Sequence, residues 1–385
     1  MAKQVQEVRY NVYGHNPANR PQPNQNRPVK RKRSAFRLFL KTFFITAIVL
    51  SCFIFAGYIF LRNWIKPPQI AVLTPSVTDA PQSEAFENPG ASVIIDGEHD
   101  ENAYAPRGFD TSERKDLFFT FMVVGIDNNT QTDTIMVASY DGKNKKANII
   151  SIPRDGLVNV SRRIKKINGA YGAGSLNGGR EGGLNQLKSE IKSIIGFAPD
   201  FYILINIETF VKIIDAVGGI EVNIPYDLNY DDPTDGLHIH IKKGFQTLYG
   251  EDAVKFARYR KINGGGAITD YERIEHQQTV MKAVADKVLR PESLLKIPEF
   301  IKIFSENVFT DIRTENLLWF ASQVKGVTNT DALATYTMPM AGTSGGTVSY
   351  EFFDEDAIVE LVNDTVNPYL DNIAARDLDI INYVP

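Results

Sequence analysis

The distribution of apolar and polar positions divides the chain into unlike stretches. Thr42 to Leu61 is a run of twenty uncharged residues, mostly Phe, Ile, Leu, Val and Ala. That matches the roughly 20 residues needed to cross a hydrocarbon core, so one transmembrane helix is predicted over 42–62. A cleaved signal peptide is the competing reading, but the run exceeds the usual apolar length and no small-x-small site follows it. From Lys115 onward strand and helix periods alternate, which predicts a single α/β domain over 115–385 with a central mixed sheet flanked by helices. Leu117–Ile126, Ile135–Ser139, Ala147–Ile152, Phe201–Asn206 and Ile220–Ile224 read as strands. Leu184, Leu187, Ile191, Ile194 and Ile195 fall at helical spacing, as do Phe210, Ile213, Ile214 and Val217. Further helices are predicted over Asp270–Leu289, Thr314–Val324 and Asp354–Val366, each opening with a capping residue. The glycine-rich stretch Tyr171–Gly183 lacks the Gly-Lys-Ser/Thr ending of a phosphate-binding loop and reads as a mobile loop.

Charge separates the flanks of the apolar run. Residues 1–41 hold ten Lys or Arg and one acid, a charge of +9, whereas the remainder holds 32 bases and 45 acids, a charge of −13. The overall −4 is therefore an average over two unlike parts. Pro17, Pro21, Pro23 and Pro28 lie among Asn, Gln and Arg, so 1–41 is expected to be a disordered basic tail. Its basic end at Lys30–Arg33, Arg37 and Lys41 predicts a cytoplasmic N-terminus and an extracellular domain. Residues 63–114, rich in Pro and acids, read as a linker. The single cysteine, Cys52, excludes an intrachain disulfide framework. The one strongly basic stretch abuts the apolar run on the anionic side of a membrane, which argues against a nucleic-acid partner.

Ligands of open α/β sheets bind beyond the carboxyl ends of strands, which directs attention to polar residues just after them. Asp127 follows the first predicted strand and Asp133 begins the next. This pair suits a hard, oxygen-preferring cation such as Mg²⁺ or simple capping of the turn at Asn128-Asn129, and spacing alone favours the turn. Arg154-Asp155 follows the third strand. Arg258 and Arg260 flank Tyr259, and an extended backbone there would put both guanidiniums on one face, where an anion would relieve their repulsion. Asp270, Arg273 and Gln277 share one side of a helix, with His276 beside them. His238 and His240 fall on one strand face but show no third ligand nearby, so they read as strand surface.

Six motifs occur in order: Thr132-Asp133-Thr134-Ile135-Met136, Ser151-Ile152-Pro153-Arg154-Asp155, Lys166-Ile167-Asn168-Gly169-Ala170-Tyr171, Val217-Gly218-Gly219-Ile220-Glu221-Val222, Arg258-Tyr259-Arg260, and Asp270-Tyr271-Glu272-Arg273-Ile274-Glu275-His276-Gln277-Gln278. This succession resembles the LytR-CpsA-Psr family of Gram-positive cell-wall proteins. The resemblance implies a membrane-anchored phosphotransferase that moves a glycopolymer from a polyprenyl-pyrophosphate carrier to peptidoglycan. It implies Mg²⁺, with Mn²⁺ as a second candidate, on Asp127 and Asp133. The pyrophosphate would be bound by Arg154, Arg258, Arg260 and Arg273, with Gln277 and Lys166 as further partners. Asp133 and the four arginines would carry the catalysis. Two positions depart from the family pattern, Gln131 and His276, where arginine is usual. Lys165, Lys166, Arg162 or Arg163 could restore the missing charge. A non-catalytic receptor for lipid-linked glycan and a hydrolase of the same carrier bond are the alternative readings.

Overall fold

A computed structural model describes residues 65–70, 113–126, 132–232, 237–260, 269–290, 296–323, 332–345 and 348–383, with Ser51 and Ser293. The basic tail, nearly all of the apolar run 42–62, most of the linker, Asp127 and Gln131 lie outside these residues. Among the described residues no helix is long and apolar enough to cross a membrane.

Strands β1 (Phe118–Ile126), β2 (Thr132–Asp141) and β3 (Lys146–Ser151) form an antiparallel meander. A 3-10 turn at Ile167–Gly169 leads into α1 (Ala170–Ile195), and β4 (Phe201–Asn206) then pairs parallel to β1. Next come α2 (Ile207–Ala216), β5 (Ile220–Ile224), β6 (Leu228–Asp232), β7 (Leu237–Ile241), β8 (Gly244–Leu248), α3 (Gly250–Arg258) and α4 (Asp270–Leu289). The chain continues through α5 (Ile297–Asn307), β9 (Phe309–Thr310), α6 (Thr314–Gln323), β10 (Leu333–Thr337), β11 (Met340–Ser344), β12 (Tyr350–Phe353) and α7 (Glu355–Thr365). The main sheet is mixed, with order β10-β3-β2-β1-β4-β9; β5 pairs with β8, β6 with β7 and β11 with β12.

Alternation along the central strands sends side chains to two faces. Met122, Val124, Ile135, Val137 and Ile150 pack in one core with Leu187, Ile191 and Ile194 of α1 and Ile358 and Val362 of α7. Phe119 and Phe121 meet Trp319 and Phe320 of α6 on the opposite face, with ring centroids 5.3–5.4 Å apart in edge-on contacts. Helices therefore flank the sheet as the periodicity predicts. A second core joins Ile214 and Val217, the strands β5 to β8, Phe256 of α3 and Val280 of α4. Both cores lie within one unit, Asn63–Pro385.

The glycine-rich stretch 171–183 is helical, contrary to the loop expectation. Two helical segments meet at Gly179, whose φ of 57° is left-handed. A Cβ on Gly174 would lie 2.3 Å from the Gly182 carbonyl oxygen, so these glycines permit a backbone approach that any larger residue blocks. Burial of Ala170, Tyr171 and Leu184 in the first core draws the stretch inward, and a pattern read along the sequence does not register that pull. At α4 the N-cap is Thr269, which exchanges hydrogen bonds with Glu272 in a capping box, so the helix begins one residue later than its cap.

Candidate active site

Asp133 owes its position to an irregularity in the sheet. The β1–β2 register pairs Gly125 with Thr134 and Ile126 with Thr132, leaving Asp133 as the extra residue of a bulge. Bulges re-aim a side chain out of the ladder, and this one turns the carboxylate toward a cavity. Thr132, fully buried, anchors the bulge by donating its Oγ1 hydrogen to the Asn168 carbonyl at 3.0 Å. Asn168 N–H in turn donates to the Arg154 carbonyl at 3.2 Å, tying the turn after β3 to the same anchor. Arg154 Nη1 lies 3.8 Å from Asp133 Oδ1, beyond hydrogen-bond length.

A cavity of about 270 Å³ brings together Asp133, Arg258, Arg260, Arg273 and Gln277. Much of the remaining lining is apolar: Val123, Val124, Ile126, Met136, Ile205, Ile207, Phe210, Val254, Ala257, Val280 and Met281 contribute. Three guanidiniums and one carboxylate thus share a cavity with hydrocarbon walls. Arg273 is 4% exposed, whereas Arg258 and Arg260 are exposed. A buried guanidinium carries a large desolvation cost, so its position in this cavity places a strong positive charge in an apolar setting.

The Arg258-Tyr259-Arg260 segment is extended only in part: Arg258 is the last residue of α3, and Tyr259 leaves the helix at φ −59°, ψ 123°. Tyr259 is 1% exposed and packs in the second core, so its burial, rather than strand alternation, leaves both flanking arginines on the cavity. On α4, Arg273, Gln277, Val280 and Met281 recur at helical spacing along one face and all line the cavity. Gln278, one step around the helix, donates to the Tyr336 carbonyl at 2.9 Å and to Thr337 Oγ1 at 3.2 Å, docking α4 on edge strand β10. Gln278 belongs to the sixth motif, yet no role follows from the motif itself; only its tertiary partners on β10 give it one.

Lys166 and Arg154 are absent from the cavity lining. The Lys166 ammonium pairs with Asp155 at 2.8 Å. Arg162, considered as a substitute charge, is committed elsewhere: its guanidinium forks onto the buried carboxylate of Glu190, with Nη2 to Oε2 at 2.8 Å. Asp133 is 39% exposed on its side chain and offers accessible oxygens to a hard cation, which keeps most of its water and needs only one or two protein carboxylates. Asp127, its expected partner, lies outside the described residues.

His276 is 6% exposed and stacks on Phe256 with ring centroids 4.4 Å apart. It is absent from the cavity lining, which changes the meaning of the missing arginine: this ring belongs to the core behind the site. Burial holds its pKa below the ordinary imidazole range, against the opposing pull of Glu272 and a hydrogen bond at the Phe256 backbone. The folded protein therefore binds this proton less readily than the unfolded chain. Stability is expected to fall as pH drops through about 6.5, where the unfolded imidazole charges. Urea midpoints measured between pH 7.5 and 5 should decline, and His276→Phe should flatten the decline. An unchanged slope in that variant would refute the assignment.

Residues 91–367 match the LytR_cpsA_psr family. The Bacillus subtilis protein named polyisoprenyl-teichoic acid–peptidoglycan teichoic acid transferase TagV is 28% identical over 265 residues, covering 66% of this chain and 65% of its own length. TagU of the same organism, named for the same transfer, is 24% identical over 252 residues, covering 64% of this chain and 76% of its own length. The crystal structure of B. subtilis TagV superposes with a TM-score of 0.53 at 25% identity, over 64% of this chain and 95% of that one. With the matched segment spanning most of the chain and containing every motif of the cavity, this protein belongs to the LytR-CpsA-Psr family.

Proposed function

We propose that this protein transfers a glycopolymer from a polyprenyl-pyrophosphate carrier to peptidoglycan, forming a phosphodiester. The observation that carries this reading is the composition of one cavity: Arg258, Arg260 and Arg273 beside an apolar lining. A polyprenyl pyrophosphate has the same two-part character, a compact anion on a hydrocarbon chain. At about 270 Å³ the cavity is just below the roughly 300–1,000 Å³ of drug-sized ligand sites, enough for the head and the first part of the chain. The names of TagV and TagU, each a transferase of polyisoprenyl-linked teichoic acid to peptidoglycan, support the same reaction class. A teichoic acid, a capsule polymer or another wall glycan would be the cargo. The apolar run and basic tail support a single-pass anchor with the domain outside, where peptidoglycan lies.

In this reading a peptidoglycan hydroxyl oxygen attacks the phosphorus bearing the glycan. The bond from that phosphorus to the polyprenyl phosphate oxygen breaks, and polyprenyl phosphate leaves. The guanidinium forks of Arg258 and Arg260 hold the pyrophosphate oxygens, and Arg273 meets charge in a less hydrated setting. Gln277 orients the head by hydrogen bonding, and the apolar wall seats the chain and excludes water. Asp133 would hold Mg²⁺, which would supply Lewis-acid neutralisation of phosphate charge. The proton of the attacking hydroxyl goes to a carboxylate, Asp133 or Asp155: Asp133 lines the cavity but is the poorer acceptor while it holds a cation, and Asp155 is paired with Lys166 at 2.8 Å.

The full chain, supplied with Mg²⁺ and a lipid-linked glycan, is expected to form a glycan–peptidoglycan phosphodiester only when peptidoglycan oligomers are present. Release of glycan without acceptor would replace this reading with a hydrolase, and binding without turnover would replace it with a receptor. Filling the apolar wall by Ala257→Trp is expected to raise the KM for a long-chain donor about tenfold, equivalent to about 1.4 kcal/mol of lost binding. A short-chain donor should be affected less. Equal effects on both donors would detach the apolar wall from carrier binding.

A further inference from the structure

The hairpin of β6 and β7 carries a three-ligand constellation on its outer face. Asp231 is registered directly against His238 and Asn229 against His240. Because residues two apart along a strand share a face, His238, His240, Asp231 and Asn229 project together, while Leu228, Ile239 and Ile241 are buried on the other side. Asp231 Oδ1 lies 2.7 Å from His238 Nδ1 and 3.1 Å from His240 Nε2. One ligand atom from each residue falls within 4.8 Å of the others. Ligands at the Zn–N and Zn–O lengths of about 2.0–2.2 Å sit roughly 3.3 Å apart around a tetrahedral ion, so the three atoms need only small side-chain rotations to close on one. The strand-surface reading of His238 and His240 rested on the lack of a third ligand; strand pairing supplies it from a residue seven positions earlier.

The outer partner of His240 suits a ligand role. His240 Nδ1 faces the Asn229 side-chain oxygen at 3.4 Å. In the tautomer that donates Nδ1–H to that carbonyl, the Nε2 lone pair faces Asp231 Oδ1 and is free to bind a cation between them; in the other tautomer Nε2–H donates to Asp231 directly. A carbonyl acceptor behind the ring is the usual outer-shell support of a metal-bound histidine. Side-chain exposures of 61% for His238, 58% for His240 and 36% for Asp231 leave the site open to an ion from solvent.

We propose that Asp231, His238 and His240 bind one divalent transition-metal ion of the Zn²⁺ class, with a coordination position left open to water or an incoming group. Two imidazoles and a carboxylate suit Zn²⁺ and disfavour Mg²⁺. The ion would clamp β6 to β7, the hairpin whose opposite face sends Tyr230 to the cavity wall. This site stands apart from the transfer reaction and does not depend on it.

The test is Zn²⁺ titration of the metal-free full chain by calorimetry in the presence of excess Mg²⁺. One equivalent of Zn²⁺ should bind despite the Mg²⁺. The affinity should fall about tenfold or more in His238→Ala and in His240→Ala, and about tenfold in Asn229→Ala. Circular dichroism of each metal-free variant should match the parent, since all three side chains lie on the surface. No Zn²⁺ binding by the parent chain would overturn the proposal and leave a proton-mediated pairing of Asp231 with its two imidazoles. Binding unchanged in His238→Ala and His240→Ala would overturn it equally, by placing the ion at His15, His99 or elsewhere.

Discussion

Arg258→Ala is expected to lower acceptor-dependent transfer by about 10³-fold or more, the effect of removing one well-placed arginine from phosphoryl-transfer chemistry. Arg258 is exposed, ends α3 and lines the cavity, so its loss removes charge from the site without opening a core. Surface substitutions of this kind change stability by no more than about 0.5 kcal/mol, or about 2 °C in melting temperature for a domain of this size. Arg258→Lys keeps the charge but loses the planar fork, so it should recover only part of the rate. The measurement is transfer from a lipid-linked glycan by purified full-length protein, with melting temperature as the control. Activity within tenfold of the parent in Arg258→Ala would remove this residue from the reaction.

Asp200→Ala is expected to cost about 3–5 kcal/mol of stability, the range for breaking a buried ion pair from one side. The Asp200 side chain is 4% exposed and its Oδ2 accepts three hydrogen bonds: from Arg114 at 2.7 Å, and from the Thr120 N–H and Oγ1 at 2.9 Å each. Removing the carboxylate strands a guanidinium and two donors of a fully buried threonine. The loss corresponds to a fall of roughly 6–20 °C in melting temperature. Asp200 immediately precedes β4, and the β1–β4 pair delivers Val123 to Ile126 and Ile205 to the cavity. Transfer should therefore fail at temperatures where the variant has melted and recover on cooling. Urea unfolding that shows a loss under about 1 kcal/mol would contradict this account.

Periods of two and 3.6 were enough to locate β4, β5 and α4, because each presents an apolar face to a core and its pattern is local. The same local patterns identified Arg273 and Gln277 as companions on one helix face. Arg258 and Arg260 both line the cavity, but Arg258 does so from a helix end beside a buried Tyr259, where the spacing alone predicts an extended segment throughout. The helicity of 171–183 escaped notice because glycine lowers local helix propensity, and its close backbone packing exists only once the two segments meet.

Residue types and their order in the chain determined, on their own, the α/β class, the family resemblance, the charge division at the apolar run and the supply of arginines. Tertiary structure alone decided which of those charges reach the cavity. Arg162 and Lys166 are drawn to Glu190 and Asp155, while Arg258, Arg260 and Arg273 line the apolar pocket with Asp133. It also decided that His276 lies behind the site and that Asp231 faces His238 and His240. The physical reason is common to all of these cases. An ionic or metal-ligating group acts on whatever lies within a few ångströms, and for residues brought together by strand pairing, a bulge or a buried anchor, that neighbour is chosen by the fold rather than by spacing along the chain.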